Sequence, residues 1–214
     1  MTVQACAALV EKGDPDRFLA TMAAPPAARA RLFPIYAFNL EVARAPWVTE
    51  QPLIAEMRLQ FWRDVIEAEV PRAHEIAGPL HTALRETALD TNVLQRVIDA
   101  RTWDITCVPH GSAAALGAYI EDTSAGLMWA AGQAIGAPSN AEPALRALGW
   151  ASGLASYLRA VPALKARNRA PLPDEAPAAI RALPKPGWTS CALPAPPAHP
   201  LAQPRLLAGW RVRS

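Results

Sequence analysis

Three cysteines in 214 residues, Cys6, Cys107 and Cys191, are too few, too dispersed and odd in number to build a disulfide framework. None has the paired spacing of a metal-ligand set, so the expectation is a reducing compartment with each thiol structural or incidental. Lysine is nearly missing, at three of 21 basic residues, which beside abundant Ala, Pro and Arg reflects GC-rich coding and carries no functional weight. Charge of one sign does not accumulate either. The 21 basic and 19 acidic residues give a net charge of +2, spread along the chain, which argues against a nucleic-acid partner. No apolar run approaches the ~20 residues of a membrane span, so any membrane contact is expected to be peripheral. The opening residues, MTVQACAALVEKGDPDRFLATMAA, have no basic stretch before an apolar core and carry Glu11, Asp14 and Asp16, unlike an import leader. A cytoplasmic bacterial protein, at most peripheral to the inner membrane, or an already processed one, is expected.

What is present is helical. With 51% hydrophobic residues and a mean hydropathy of +0.06, the chain is rich enough in Ala and Leu for one all-α domain with a sizeable core. The most informative stretch runs from Leu32 to Glu69, LFPIYAFNLEVARAPWVTEQPLIAEMRLQFWRDVIEAE, two amphipathic helices joined by a turn around Ala45–Pro52. In the second, Ile54, Met57, Phe61 and Val65 recur at steps of three and four, with Trp62 and Ile66 widening the stripe that is expected to pack. Arg58, Gln60, Arg63, Asp64 and Glu67 lie off it. The first helix presents Tyr36, Leu40 and Ala43, with Asn39 and Glu41 polar and Arg44 at its negative dipole end.

The words YAFNLEVA and MRLQFWRDVIE, followed in order by AYIEDTSAGLMWAAGQAIG (Ala118–Gly136) and GWASGLASYLRAVPALKARNRAPLP (Gly149–Pro173), resemble the squalene/phytoene synthase family. Within it they are most similar to the branch of mitochondrial complex I assembly factors. The resemblance covers roughly Pro15 to Pro173 and implies a single-domain, isoprenoid-synthase-like helical bundle, shortened at its C-terminal end. Enzymes of the family carry two aspartate-rich motifs on facing helices, whose carboxylates hold the magnesium ions that bind a prenyl diphosphate. At the first motif this chain has Ala43, Arg44 and Trp47, and at the second, after Leu158–Arg159, it has Ala160, Ala163 and Leu164. Those side chains cannot assemble a metal cluster, so no metal, no cofactor and no catalytic residue is assigned.

Elsewhere the punctuation is clear. Asp14–Pro15 starts a helix, Pro25–Pro26 breaks the chain, and Pro34 predicts a kink or restart between Arg29 and Tyr36. Gly78–Pro79 opens a helix through Leu80 and Leu84, another follows around Val93, Val97 and Ile98, and Ala113–Gly136 predicts a long helix capped by Gly136. His74 and His81 are separated by Gly78–Pro79 and are expected to be structural. The Glu121–Asp122 pair points in two directions about 100° apart, which suits a solvated face better than one ion. The resemblance places Tyr119 and Gly126 toward a central cavity. From Glu142 to about Val161 a further helix carries Gly149, Gly153 and Tyr157 at four-residue steps, a surface expected to pack tightly on a neighbour.

Residues 171–204 hold ten prolines and show no sustained period, so a Pro-rich segment without packed structure of its own is expected over 174–214. A true tail, an extended partner-binding segment and a frameshift product all remain open for it. The function expected is a non-catalytic relative of these synthases, assisting respiratory complex I assembly through protein contacts. Arg44, Arg58, Trp62 and Arg159 are the first recognition candidates, followed by Asn39, Glu41 and Tyr119. The alternatives are a prenyl diphosphate-condensing transferase recruiting Glu121 and Asp122, and an isoprenoid- or quinone-binding protein using an apolar cavity.

Overall fold

A computed structural model describes residues 2–183 apart from Ala88 and Cys107. Among these residues there are ten α-helices and no strand: α1 Val3–Gly13, α2 Pro15–Met22, α3 Pro26–Arg44, α4 Pro52–Glu67, α5 Ala77–Glu86, α6 Thr91–Thr106, α7 Ala113–Ile120, α8 Gly126–Ala134, α9 Glu142–Lys165 and α10 Pro177–Arg181. The all-α bundle expected from the composition and the resemblance is the fold found.

Local chemistry sets many of the boundaries. The Asp14 carboxylate accepts a hydrogen bond from the Arg17 N–H at 3.0 Å, and Pro15 occupies the first position of α2, where its missing N–H has no helical partner to lose. Ser112 caps α7 in the same way through the Ala115 N–H at 3.1 Å. Gly136, at φ +85°, takes the left-handed conformation that ends the Ala113–Gly136 segment. Within that segment, however, Glu121–Ala125 is a π turn, so the expected long helix is two helices joined by a bulge.

Helix α3 lies at the centre. Leu32, Phe33, Pro34, Ile35, Ala37, Phe38, Asn39 and Val42 are all buried, and α1, α5 and α8 pack around it. The chain does not restart at Pro34. Interior proline costs a helix about 3 kcal/mol or more, and burying an apolar side chain returns roughly 1.5–3 kcal/mol, so the packed neighbours of Pro34 outweigh its missing bond.

The stripe on α4 needs correction. Ile54 is 41% and Met57 64% exposed, while Ala55, Leu59, Trp62, Val65 and Ile66 are buried. Trp62, Val65 and Ile66 are buried as expected, but in the first half of the helix Ala55 and Leu59 take the places expected of Ile54 and Met57, so the buried face is rotated toward the Trp62–Ile66 edge of the stripe. Both sets include apolar residues, and it is Ala55 and Leu59 that join the main core while Ile54 and Met57 are left to solvent. Trp62 is the anchor: it meets Phe38 edge-on at 5.6 Å and Phe61 at 5.2 Å, and His74 completes the aromatic contact at 5.2 Å. His74 Nδ1 accepts from the Ile76 N–H, and His81 Nε2 lies 3.0 Å from the Glu69 carbonyl, so the two histidines are placed apart in structural roles.

Helix α9 approaches the π turn very closely. A Cβ added at Gly149 would lie 2.8 Å from the Ala125 Cα and the Ser124 carbonyl, and one at Gly153 would lie 2.3 Å from the Ser124 Cβ. The glycines therefore permit helix-to-helix contact, as their spacing suggests. Beyond Pro173, α10 and Leu183 pack back on a second apolar cluster of Leu116, Tyr119, Ile120 and Trp150, with Leu183 only 6% exposed. Within 174–183 only Ile180 and Leu183 make this contact, from a helix of five residues that is too short to announce itself as a period; residues 184–214 lie outside the described set.

Two outcomes follow from this packing. Trp62→Ala should cost about 3–5 kcal/mol, because it removes a large buried ring and leaves a cavity against Phe38; urea denaturation measures it, and an unchanged midpoint would refute the anchor role. A chain ending at Pro173 should lose roughly 1.5–3 kcal/mol with the burial of Leu183, read from the same titration.

Candidate functional site

The two motif positions of the sequence lie at the ends of α3 and α9. Trp47, in the 3₁₀ turn Ala45–Trp47 after α3, and Leu164, near the end of α9, line one narrow cavity with Trp103, Asp104, Tyr157 and Arg169. Ala160 and Ala163 are exposed on α9, and Ala43 is half-buried on α3. Where the family's enzymes bring carboxylates together, this chain brings an indole, an isobutyl group and a guanidinium. No three His, Cys, Asp or Glu side chains among the described residues are placed to share an ion. A magnesium–diphosphate cluster does not fit these residues.

The chain after α9 is folded tightly over this region. Asn168 adopts φ +56°, and the Asn168 N–H reaches the Lys165 carbonyl at 2.9 Å while the Arg169 N–H reaches the Leu164 carbonyl at 3.1 Å. This is the paired bonding that closes a helix through a left-handed residue, a role Asn fills with little strain. The Tyr157 hydroxyl then donates to the Pro171 carbonyl at 2.7 Å, and Arg169 Nη1 donates to the Asp104 carbonyl at 2.9 Å. Arg167 and Arg169 are left over the Trp47 ring, their guanidinium carbons 5.3 and 4.8 Å from its centre.

Behind Trp47 lies a buried polar cluster that the sequence reading missed. Asp104 Oδ2 accepts from Arg101 Nη1 at 3.2 Å and from the Tyr119 hydroxyl at 2.9 Å, and Arg101 also donates to that hydroxyl. His110 stacks on Trp103 with ring centres 3.7 Å apart and touches Tyr119 and Tyr157. Burial pushes the Tyr119 and Tyr157 hydroxyls well above the usual phenol range. Burial also works against the Arg101 charge, but Tyr119 and Asp104 outweigh it and hold its pKa above the ordinary value. For His110, burial outweighs the attraction of Asp104 and lowers the pKa, and its Nε2 is buried with no hydrogen-bond partner. Protonated phenols, a fixed cation and a neutral imidazole supply no activated nucleophile; the arrangement holds α6, α7 and the chain after α9 together. In the sequence its one trace is the opposite-charge pair Arg101 and Asp104, three residues apart on a helix, and nothing there reveals that the pair is buried.

The other candidates are dispersed. Asn39 is buried on α3 with its Oδ1 lacking a hydrogen-bond partner. Glu41 and Arg44 pair at 3.3 Å on the surface, a contact of about 0.2–0.5 kcal/mol. Arg58 is exposed on α4, and Arg159 is exposed on α9 near the Ser156 hydroxyl at 3.3 Å. Trp62 belongs to the core and Tyr119 to the Asp104 cluster, while Gly126 packs at the start of α8 beside Val93. Glu121 pairs with Arg146 at 3.1 Å and Asp122 approaches Arg96 at 3.9 Å, so the two adjacent carboxylates engage different helices. Cys6 is fully buried in the main cluster, where burial raises its thiol to about 11.

This architecture, a helical bundle with both motif positions at one cleft, is that of a prenyl-synthase scaffold, and the sequence profile of squalene/phytoene synthases matches residues 10–180. The chain belongs to that family. It is similar to NADH dehydrogenase (ubiquinone) complex I, assembly factor 6, from Bos taurus, at 29% identity over 172 residues, covering 78% of this chain and 52% of that protein. The Drosophila melanogaster homolog is 34% identical over 176 residues and the Homo sapiens protein 27% over 172, with the same coverage. The chain thus spans about half the length of the curated relatives it matches.

The cluster has a pH signature. Unfolded histidine titrates near 6.5, and His110 binds its proton only at lower pH in the folded chain. As pH falls through 6.5 the unfolded state takes up a proton that the folded state refuses, so stability is lost on acidification. The melting temperature should fall between pH 7.5 and 5.5, and fall less in His110→Phe, which keeps the stacked ring without a titrating nitrogen; equal falls in both proteins would count against it.

Proposed function

We propose that this chain is a non-catalytic squalene/phytoene synthase-like protein that assists assembly of respiratory complex I through protein contacts. The observation that carries the reading is the replacement of both carboxylate motifs by Ala43, Arg44, Trp47, Ala160, Ala163 and Leu164, at a cleft where Trp47 and Leu164 now stand together. The relatives that share this half of their length are named as complex I assembly factors, which supplies the partner class. A condensing transferase would need Glu121 and Asp122 as metal ligands, and their engagement with Arg146 and Arg96 disfavours it.

An exposed face supports contact with another protein. Leu53 (67%), Ile54 (41%) and Met57 (64%) stand in solvent on α4 beside Arg58, and a cluster of large apolar side chains with an arginine is the composition of an interaction surface. No helix among the described residues is long and apolar enough to cross a membrane, which fits a cytoplasmic bacterial factor working at the inner-membrane surface.

Two measurements test this. Incubated with farnesyl diphosphate and Mg²⁺, the protein should release no diphosphate above the no-protein rate; release would restore the enzyme. Deleting the gene from its host should diminish the assembled complex I band on a native gel, and Leu53→Glu with Met57→Glu, outside the core, should fail to restore it while melting like the parent. Normal assembly in the deletion strain would end the assembly reading.

A further inference from the structure

The cleft in front of Trp47 sets two arginines against an apolar wall. It encloses about 360 Å³ between the 3₁₀ turn, the start of α4 and the chain after α9, lined by Pro46, Trp47, Pro52, Ala55 and Ile105 as apolar wall and by Thr49, Glu50, Arg167 and Arg169 as polar groups. We propose that this cleft binds a phosphoryl group directly, through Arg167 and Arg169 and without a metal ion, with the apolar wall receiving the body of a small amphiphile.

Three observations carry it. A guanidinium over an indole keeps its in-plane N–H groups for an oxyanion: that of Arg167 makes no hydrogen bond among the described residues, and that of Arg169, which spends Nη1 on the Asp104 carbonyl, keeps Nε and Nη2. Two like charges share one ring here, an arrangement that repels itself and that an anion held between them relieves. The positions are also fixed in advance. The left-handed Asn168, the Tyr157–Pro171 hydrogen bond and the Arg169–Asp104 hydrogen bond lock the turn that carries both arginines, so its backbone needs little ordering on binding. Among the described residues Glu50 is the one acid on the lining and pairs with neither arginine, so their charges outnumber its own. Arg44, the residue at the family's first motif, is turned to Glu41 and takes no part.

Phosphoryl groups come free or on a lipid, and calorimetry on the full chain separates the two. The titration is run in EDTA at low ionic strength, because exposed charges are screened at higher salt. The probes are inorganic phosphate and dihexanoyl phosphatidic acid below its micelle concentration. Saturable binding is expected, tighter for the short-chain lipid; equal affinity for both would assign the site to free phosphate. Arg167→Gln should weaken binding roughly tenfold, the loss of one charge-assisted contact, and Arg44→Gln should leave it unchanged. Arg167 is exposed and holds no structural hydrogen bond, so this variant remains informative even if Arg169→Gln disturbs the turn. Binding that persists undiminished in Arg167→Gln, that requires Mg²⁺, or that is absent for both probes would overturn the site.

Discussion

The burial of α3 on nearly all sides is the constraint on which the bundle rests. The middle of that helix, Leu32 to Val42, is apolar on most sides and must be enclosed, and α1, α5 and α8 are arranged to enclose it. Phe33 reaches α2 through Phe18 at 5.6 Å, and Phe38 reaches α4 through Trp62. The enclosure explains why a proline survives in its middle and why Asn39, a polar group with an unmatched oxygen, is tolerated there. Each is a local cost that burial of the surrounding apolar side chains exceeds.

Much of this was legible in the chain and some was not, for identifiable reasons. Caps and breakers act within a few residues, so Asp14–Pro15, Pro25–Pro26 and Gly136 could be read directly. Tight packing at Gly149 and Gly153 was legible because small residues at helical spacing have few other uses. The second half of the α4 stripe, Trp62, Val65 and Ile66, was legible, but its first half was not, because apolar residues there cover much of the circumference and only tertiary neighbours decide between Ala55–Leu59 and Ile54–Met57. Helix α1 left no punctuation strong enough to predict. Asp104, His110 and Arg101 gain their character from burial by α7 and the chain after α9, and burial across 65 residues of separation between Asp104 and Arg169 has no local signature.

The replaced motifs change more than charge count. Trp47 and Leu164 stand on one narrow cavity, and the arginines over Trp47 come from a turn rather than from the facing helices. The polar weight of the region has moved inward to Asp104, Arg101 and Tyr119, where it ties elements together.

The π turn at Glu121–Ala125 shifts the phase of everything after it. One additional residue in a turn advances the following side chains by about 100°. The helix before the bulge can therefore direct Leu116 and Ile120 at the second cluster while Leu127, Trp129 and Ala130 beyond it face the main core. Without that slip, one continuous cylinder would have to serve both interiors with a single stripe; the bulge is the joint by which one segment of chain joins two hydrophobic cores.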